Sequence, residues 1–331
     1  MQMRTLGSQG PSVSALGLGL MGMTDFYANG DVEEGVAVVQ RALDAGVTLL
    51  DTGDFYGMGS NELLLHRALD TPARREQAFV QVKFGAQRSP DGAFLGFDLR
   101  PAAIETALAY SLRRLGVETI DLYQPARLDP GVPIEDVVGT LARCVERGWI
   151  RHIGLSEVSA DTLRRAAAVH PITAVQREDS LVERSPEEAL IPELERQGAG
   201  LTAYGVLSRG LLAGRIRSAA DLGEGFDYRK MLPRFQGANL AANLRLVDAL
   251  VALAEARGVT PAQLAVAWSL HKSPAVVPLV GARRRSQLDD TLAAVDVALS
   301  PDEVATLEAA LPATAVAGTR YDEHGMAIVD L

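Results

Sequence analysis

The chain holds one cysteine, Cys144, so no internal disulfide can form, and its place in a helical pattern reads as a small buried hydrophobe in a reducing compartment. It has no uncharged apolar run of about 18 residues, the length a membrane-crossing helix needs. The opening MQMRTLGSQGPSV has no apolar stretch of signal-peptide length either, so a cytoplasmic protein with no membrane partner is expected. Basic residues are in deficit, 32 Lys+Arg against 42 Asp+Glu, and the net charge of −10 repels phosphate backbones, which argues against a nucleic-acid partner. The one basic run, Arg283-Arg284-Arg285, is short enough to be a solvated helix start. Linkers, low-complexity segments and fixed-period repeats are missing, so residues 1–331 read as a single domain. A monomer is the plain expectation, with a homo-oligomer left open.

What is present is alternation. Apolar or β-rich runs recur at SALGLGL (14–20), VTLLDT (47–52), FVQVKF (79–84), TIDLY (119–123), IRHIGLS (150–156), ITAVQ (172–176), GLTAYGVL (200–207) and AVVPLVG (275–281). Helical spacing fills the gaps, for example over 32–45, 104–115 and 134–147. Ser185-Pro186, Thr260-Pro261 and Ser300-Pro301, each with Glu or Gln three residues after the hydroxyl, predict capped helix starts. Strand followed by helix, eight times over, with strands apolar throughout, calls for a parallel sheet covered by helices. The closed (β/α)8 TIM barrel satisfies this, with an N-terminal hairpin around Ser8-Gln9-Gly10 and an extra C-terminal helix over 300–311. The glycine-rich segment 208–239 is too long for a plain connection and reads as a functional loop.

Barrel chemistry belongs at the carboxyl ends of the strands. There Asp51, Tyr56 and Lys83 would share one mouth. A lysine beside the tyrosine favours its phenolate, and a carboxylate keeps the lysine charged and aimed, which suits proton exchange with a carbonyl or alcohol oxygen. A core salt bridge beside a packed tyrosine accounts for the spacing equally well.

DTGDFYG followed by VKFG resembles the aldo-keto reductase superfamily. SLRRLGVETIDLY, GLSEVSA, AYGVLSRGLLAG and VGARRRSQLDDT follow in family order. The resemblance implies a barrel that binds NADPH across its mouth and transfers hydride to the carbonyl of a small-molecule substrate, with no metal. It assigns catalysis to Asp51, Tyr56 and Lys83. The family's fourth member, a histidine before an arginine at the end of the fourth strand, is missing here: Ala126 precedes Arg127, and Asp121 to Tyr123 and Asp129-Pro130 hold the frame on both sides. That imidazole would donate to the substrate oxygen, and losing one such donor costs a few kcal/mol of transition-state stabilisation. Three consequences stand open. Tyr56 acts alone or with Gln124 or a water; the reduced bond is C=N or conjugated C=C; or the protein binds NADPH for regulation with little turnover.

By the same resemblance, Ser156 and Gln176 hold the nicotinamide carboxamide and Tyr204 stacks on the ring, while Glu157 stands where many members have asparagine. Leu207, Ser208, Arg209, Gly210 and Leu212 cover the pyrophosphate. Arg283 and Gln287 bind the adenosine phosphate, Asp290 the adenine, and an arginine at 283 favours NADP over NAD because guanidinium pairs bidentately with a 2′-phosphate. Thr291 takes the place of a usual asparagine. The substrate pocket is assigned Met21, Met23, Phe26, Tyr27, Met58, Phe84, Gln124, Ala126, Arg127 and Phe235, with Trp149 nearby, which together favour an apolar substrate.

Overall fold

The computed structural model describes residues 1–8, 10–27 and 30–330. A hairpin of β1 (Met3–Thr5) and β2 (Ser12–Ser14) comes first, and its expected turn residue Gln9 lies outside the described residues. The barrel strands are β3 (Gly17–Gly19), β4 (Leu49–Gly53) and β5 (Phe79–Phe84); β6 (Ala86–Arg88) and β7 (Phe94–Phe97) form a separate hairpin. Then follow β8 (Ile120–Pro125), β9 (Ile150–Ser156), β10 (Ala174–Glu178), β11 (Gly200–Tyr204) and β12 (Val276–Gly281). Each barrel strand pairs in parallel with the next, and β12 returns to β3, so the (β/α)8 expectation holds.

Alternation sorts the strand side chains. Outward residues such as Leu50, Val80, Val82, Tyr123, Ile153 and Leu155 join the helices in the main core. Inward, Leu49, Leu122, Ala174, Val277 and Leu279 meet Leu6 and Val13 of the hairpin, which makes an apolar floor at the amino ends of the strands. Above that floor the interior turns polar: Gln81 donates to Asp51 (3.0 Å) and Thr202 (3.4 Å), and Gln176 donates to Asp51 (2.7 Å). Gly154 makes this layer possible, because a Cβ there would stand 2.8 Å from Gln124 Oε1 and 2.6 Å from Leu122.

The helix caps hold at Thr260 and Ser300, both full capping boxes. They fail at Ser185, whose hydroxyl donates to Glu183 (2.7 Å) instead; Ser185–Glu187 makes one 3-10 turn, and the helix starts only at Leu190, after a non-helical Ala189. Segment 208–236 is a chain of 3-10 turns that ends in a 21-residue helix, Gly237–Arg257. That helix is long and apolar enough for a membrane by composition, yet Leu240, Val247, Leu250 and Ala254 bury against the loop and the helix Pro261–Lys272. Beyond the helix Pro301–Ala310 the chain turns back over the mouth, fastened by Asn243, which donates to Ala317 O (2.9 Å) and accepts from Ala317 N (2.8 Å). Cys144 is buried, as expected.

Candidate active site

Local chemistry holds the β4 loop in shape. After Asp51-Thr52-Gly53 the backbone turns sharply through Gly57, Met58 and Gly59, all with positive φ, and a Cβ on Gly57 would strike Ser60 Oγ at 2.2 Å. Buried Asn61 locks the turn by accepting from Thr52 (2.6 Å) and donating to Leu20 O (3.0 Å) and Thr24 (2.8 Å). Tyr56 is thereby set over the barrel, packed edge-on against Phe55 and Phe26.

Beneath it lies a buried ion pair. Lys83 Nζ donates to both oxygens of Asp51 at 2.7 Å and stands 5.1 Å from the Tyr56 ring centroid. Burial lowers the ammonium pKa below its ordinary value and Asp51 opposes that. Burial pushes the Tyr56 phenol well above its usual value, Asp51 adds to the rise, and Arg127 opposes it. This corrects the expectation of a favoured phenolate: the lysine's charge is spent on Asp51, so the phenol meets a neutralised pair rather than a free cation. A phenol in this setting is held toward its protonated form.

At the end of β8 the Ala126 side chain is nearly buried and its N–H donates to Phe84 O (2.9 Å), continuing the strand ladder. One inward step below it, paired across the sheet with Lys83, is Gln124, wholly buried with both amide atoms lacking a partner. The neighbouring arginine, Arg127, donates to Ala126 O (2.7 Å) and the Tyr321 hydroxyl (3.2 Å).

The opposite wall is a charged network that sequence reasoning missed. Glu157, in left-handed conformation (φ 55°) and without exposure, takes a fork from Arg320 (3.1 and 3.0 Å), a bond from Tyr204 OH (2.8 Å) and the Glu178 N–H (3.1 Å). Burial would raise its carboxyl, but the guanidinia of Arg127, Arg320 and Arg177 hold it down at about 2. Arg209 forks onto Glu178 (3.1 and 3.0 Å). Tyr321 lies among Arg127, Arg209 and Arg320, their Cζ atoms 5.7, 5.1 and 5.7 Å from its ring centroid, and its hydroxyl is 2.6 Å from that of Tyr204. The available signal was the non-asparagine Glu157 with two tail residues, Arg320 and Tyr321, able to answer it.

Not every assigned residue reaches the mouth. Phe84 points outward from β5 and stacks on Tyr123 at 4.1 Å in the helix-facing core, because its neighbour Lys83 takes the inward position. Met23 is buried in the same core, and Phe235 and Leu212 lie in the satellite core under the long loop. Trp149 precedes β9 at its amino end, the far side from the mouth, with Arg147 over its ring. Met58 is exposed and Met21 half-buried. Phe26 and Tyr27 do border the site: Phe26 O accepts from Tyr228 N (2.8 Å), and Arg229 stacks on Tyr27.

The cofactor residues divide likewise. Ser156 Oγ and Ser208 Oγ are buried without partners, two orphaned groups that suit a bound polar ligand, so the chain fits a dinucleotide along this rim. Gln176 is engaged by Asp51, and would have to be shared with a carboxamide. Leu207 is half-buried, and Ser208, Arg209 and Gly210 form a tight run of positive φ. Arg283 reaches the carbonyl of Tyr27 and takes Gln287 Oε1 on its N–H (3.0 Å). Asp290 accepts through Oδ1 from Thr260 and Gln263 (both 3.0 Å), so the residue expected at the adenine position also braces the start of the helix Pro261–Lys272.

Residues 15–312 match the Aldo/keto reductase family. The chain belongs to it. An aldo-keto reductase [NADP(+)] of Schizosaccharomyces pombe is 39% identical over 313 residues, covering 94% of this chain and 92% of that protein. Among solved structures, a glycerol dehydrogenase from Gluconobacter oxydans aligns with TM-score 0.84 at 31% identity, over 93% of this chain and 94% of its own. An aldo-keto reductase from Bacillus halodurans in its holo form aligns with TM-score 0.78 at 25% identity, over 98% and 99%.

Proposed function

We propose that this aldo/keto reductase family member is an NADP-dependent oxidoreductase that reduces an aldehyde or ketone, with Tyr56 as the proton donor. The observation that carries this reading is the Lys83–Asp51 pair buried directly under Tyr56. NADPH, when bound, supplies the hydride. Ser156 and Gln176 would hold the nicotinamide amide, the Tyr204 ring would face it, Ser208 to Gly210 would take the phosphate bridge, and Arg283 would take the 2′-phosphate. The substrate oxygen comes to the Tyr56 hydroxyl, which gives up its proton as negative charge develops there. Lys83 then faces the new phenolate and Asp51 keeps that ammonium in place. On the Ala126 side we assign the oxygen's second donor to Gln124 Nε2, which is buried without a partner, directly or through a water.

The test is NADPH consumption by wild type and Tyr56→Phe against aromatic aldehydes, a ketone, a cyclic imine and an enone. Turnover of the carbonyls that falls by 10²-fold or more in Tyr56→Phe is expected, since a positioned acid contributes about 10²–10⁴. Preference for the imine or enone would move the reading to C=N or C=C reduction. Tight NADPH binding with no Tyr56-dependent turnover would leave a regulatory binding protein.

A further inference from the structure

The arginines around the mouth are almost all matched. Arg209 has Glu178, Arg320 has Glu157, Arg234 has Glu183 at 2.7 Å and Arg229 has Asp227 at 2.6 Å. Arg127 differs: the field of Glu157 reaches it, but among the described residues no carboxylate lies within 4.0 Å of it, and its Nε is buried with no partner at all. Of the five N–H groups of a guanidinium, two are engaged, by a backbone carbonyl and a phenol, both neutral. A half-buried cation with free donors is costly unless something pairs with it.

The side chain is also aimed. Tyr204 gives its one hydroxyl proton to Glu157, so the 2.6 Å bond between Tyr204 and Tyr321 is donated by Tyr321, which leaves the Tyr321 oxygen to accept from Arg127 Nη2. The relay Arg127 to Tyr321 to Tyr204 to Glu157 therefore fixes the guanidinium at the mouth, just beyond the end of β8. It follows directly on Ala126, which puts only a methyl group on that side, and it is the cation whose field reaches both Tyr56 and Lys83. On the cofactor reading proposed above, the nicotinamide, phosphate bridge and 2′-phosphate go to other residues, which leaves this guanidinium to another anion.

We propose that Arg127, aimed by Tyr321, is the subsite for a carboxylate on the substrate, so that the carbonyl compounds reduced are oxo acids with the carboxylate on the Ala126 side of the reacting C=O. This rests on the carbonyl-reductase reading above. Arg127 binds the anion, and Tyr321 is a positioning residue. The apolar pocket expectation changes with it: the site takes an apolar body with one anionic end.

Two measurements test it in the full-length protein. The first compares 4-formylbenzoate with its methyl ester, and succinate semialdehyde with butanal, using NADPH. The acids should exceed their neutral counterparts by about 10- to 100-fold in kcat/KM, mostly through KM, as a charge-assisted bond allows. Arg127→Met should collapse that ratio toward one, Arg127→Lys should restore part of it, and Tyr321→Phe should lower it less than Arg127→Met. The second is calorimetric titration of benzoate and benzamide into the NADP⁺-loaded protein, which needs no turnover. Benzoate should bind at least tenfold tighter, weaken with salt, and lose its advantage in Arg127→Met. Equal binding of benzoate and benzamide by wild type, or an acid preference that survives Arg127→Met, overturns the proposal. Failure of every aldehyde with the benzoate preference intact would instead overturn the reductase reading alone.

Discussion

Lys83→Met is the perturbation that most directly probes the floor of the site. Lys83 and Asp51 are each about 5% exposed, and the ammonium supplies both of its short bonds to the carboxylate. Removing the lysine leaves Asp51 buried with two neutral donors, Gln81 at 3.0 Å and Gln176 at 2.7 Å. An uncompensated buried charge costs about 3–5 kcal/mol, and because two amide donors stay, the loss belongs at about 3 kcal/mol. Asp51→Leu should cost a similar amount, since it strands the ammonium. The double variant Lys83→Met/Asp51→Leu removes both charges and should recover most of the loss, so the coupling in a double-mutant cycle is large and favourable. Urea unfolding at pH 7, read by fluorescence, gives the free energies, and an unchanged slope with denaturant shows that compactness is unaltered. Activity should be lost in all three variants. Single variants within 1 kcal/mol of wild type, or a double variant no better than the worse single, would refute the claim that Tyr56 rests on a mutually dependent buried pair.

Ala126→His restores a donor beside Gln124 and should raise kcat/KM for neutral aldehydes by up to about 10², the scale of one oxyanion donor; unchanged or lower rates with the fold intact would show that this pocket does not use the position. Burial and the nearby Glu62 carboxylate raise the Asp54 carboxyl to about 8, so the folded state binds its proton more tightly than the unfolded chain. Its contribution to stability is therefore present at low pH and lost as pH rises from about 4 to 8, with a slope of at most about 1.4 kcal/mol per pH unit. Urea midpoints from pH 5 to 8 should fall for wild type relative to Asp54→Asn, and parallel profiles would refute the assignment. Glu157 has the opposite sign: held down at about 2, it stabilises fully above its unfolded value and that stability is lost as pH falls from there to about 2, so Glu157→Gln at pH 7 should cost about 3 kcal/mol and release segment 313–330 to fast hydrogen exchange.

The barrel was legible because its signals are local and repeated: near-continuous apolar strands, helix caps at Thr260 and Ser300, and the order of elements. Side-chain direction along a single strand was equally available. With Lys83 inward, Phe84 had to point out, and alternation alone would have kept it from the pocket. The hairpin β6–β7 had a signal too, Ser89-Pro90-Asp91-Gly92, a turn sequence between two short extended pieces. What could not be read was long-range: Asp290 accepts from the Thr260 cap of a helix 30 residues away and Glu157 meets Arg320 across 163 residues. No periodicity carries pairings of that kind.

The pairing of the tail with Glu157 also bears on why the mouth tolerates so many buried charges. Arg177, Arg209, Arg234 and Arg320 face Glu157, Glu178 and Glu183, a cluster in which each carboxylate meets at least two guanidinia within 4.0 Å. Such a set is favourable only when complete, since each missing member strands the others in low dielectric. The tail contributes Arg320, so the wall behind Tyr204 closes only when residues 313–330 dock, and the orientation of Arg127 through Tyr321 depends on the same docking event. Truncation before Thr319 should therefore unsettle Tyr204 and Arg127 together while the floor at Asp51 and Lys83, which touches none of these residues, keeps its geometry.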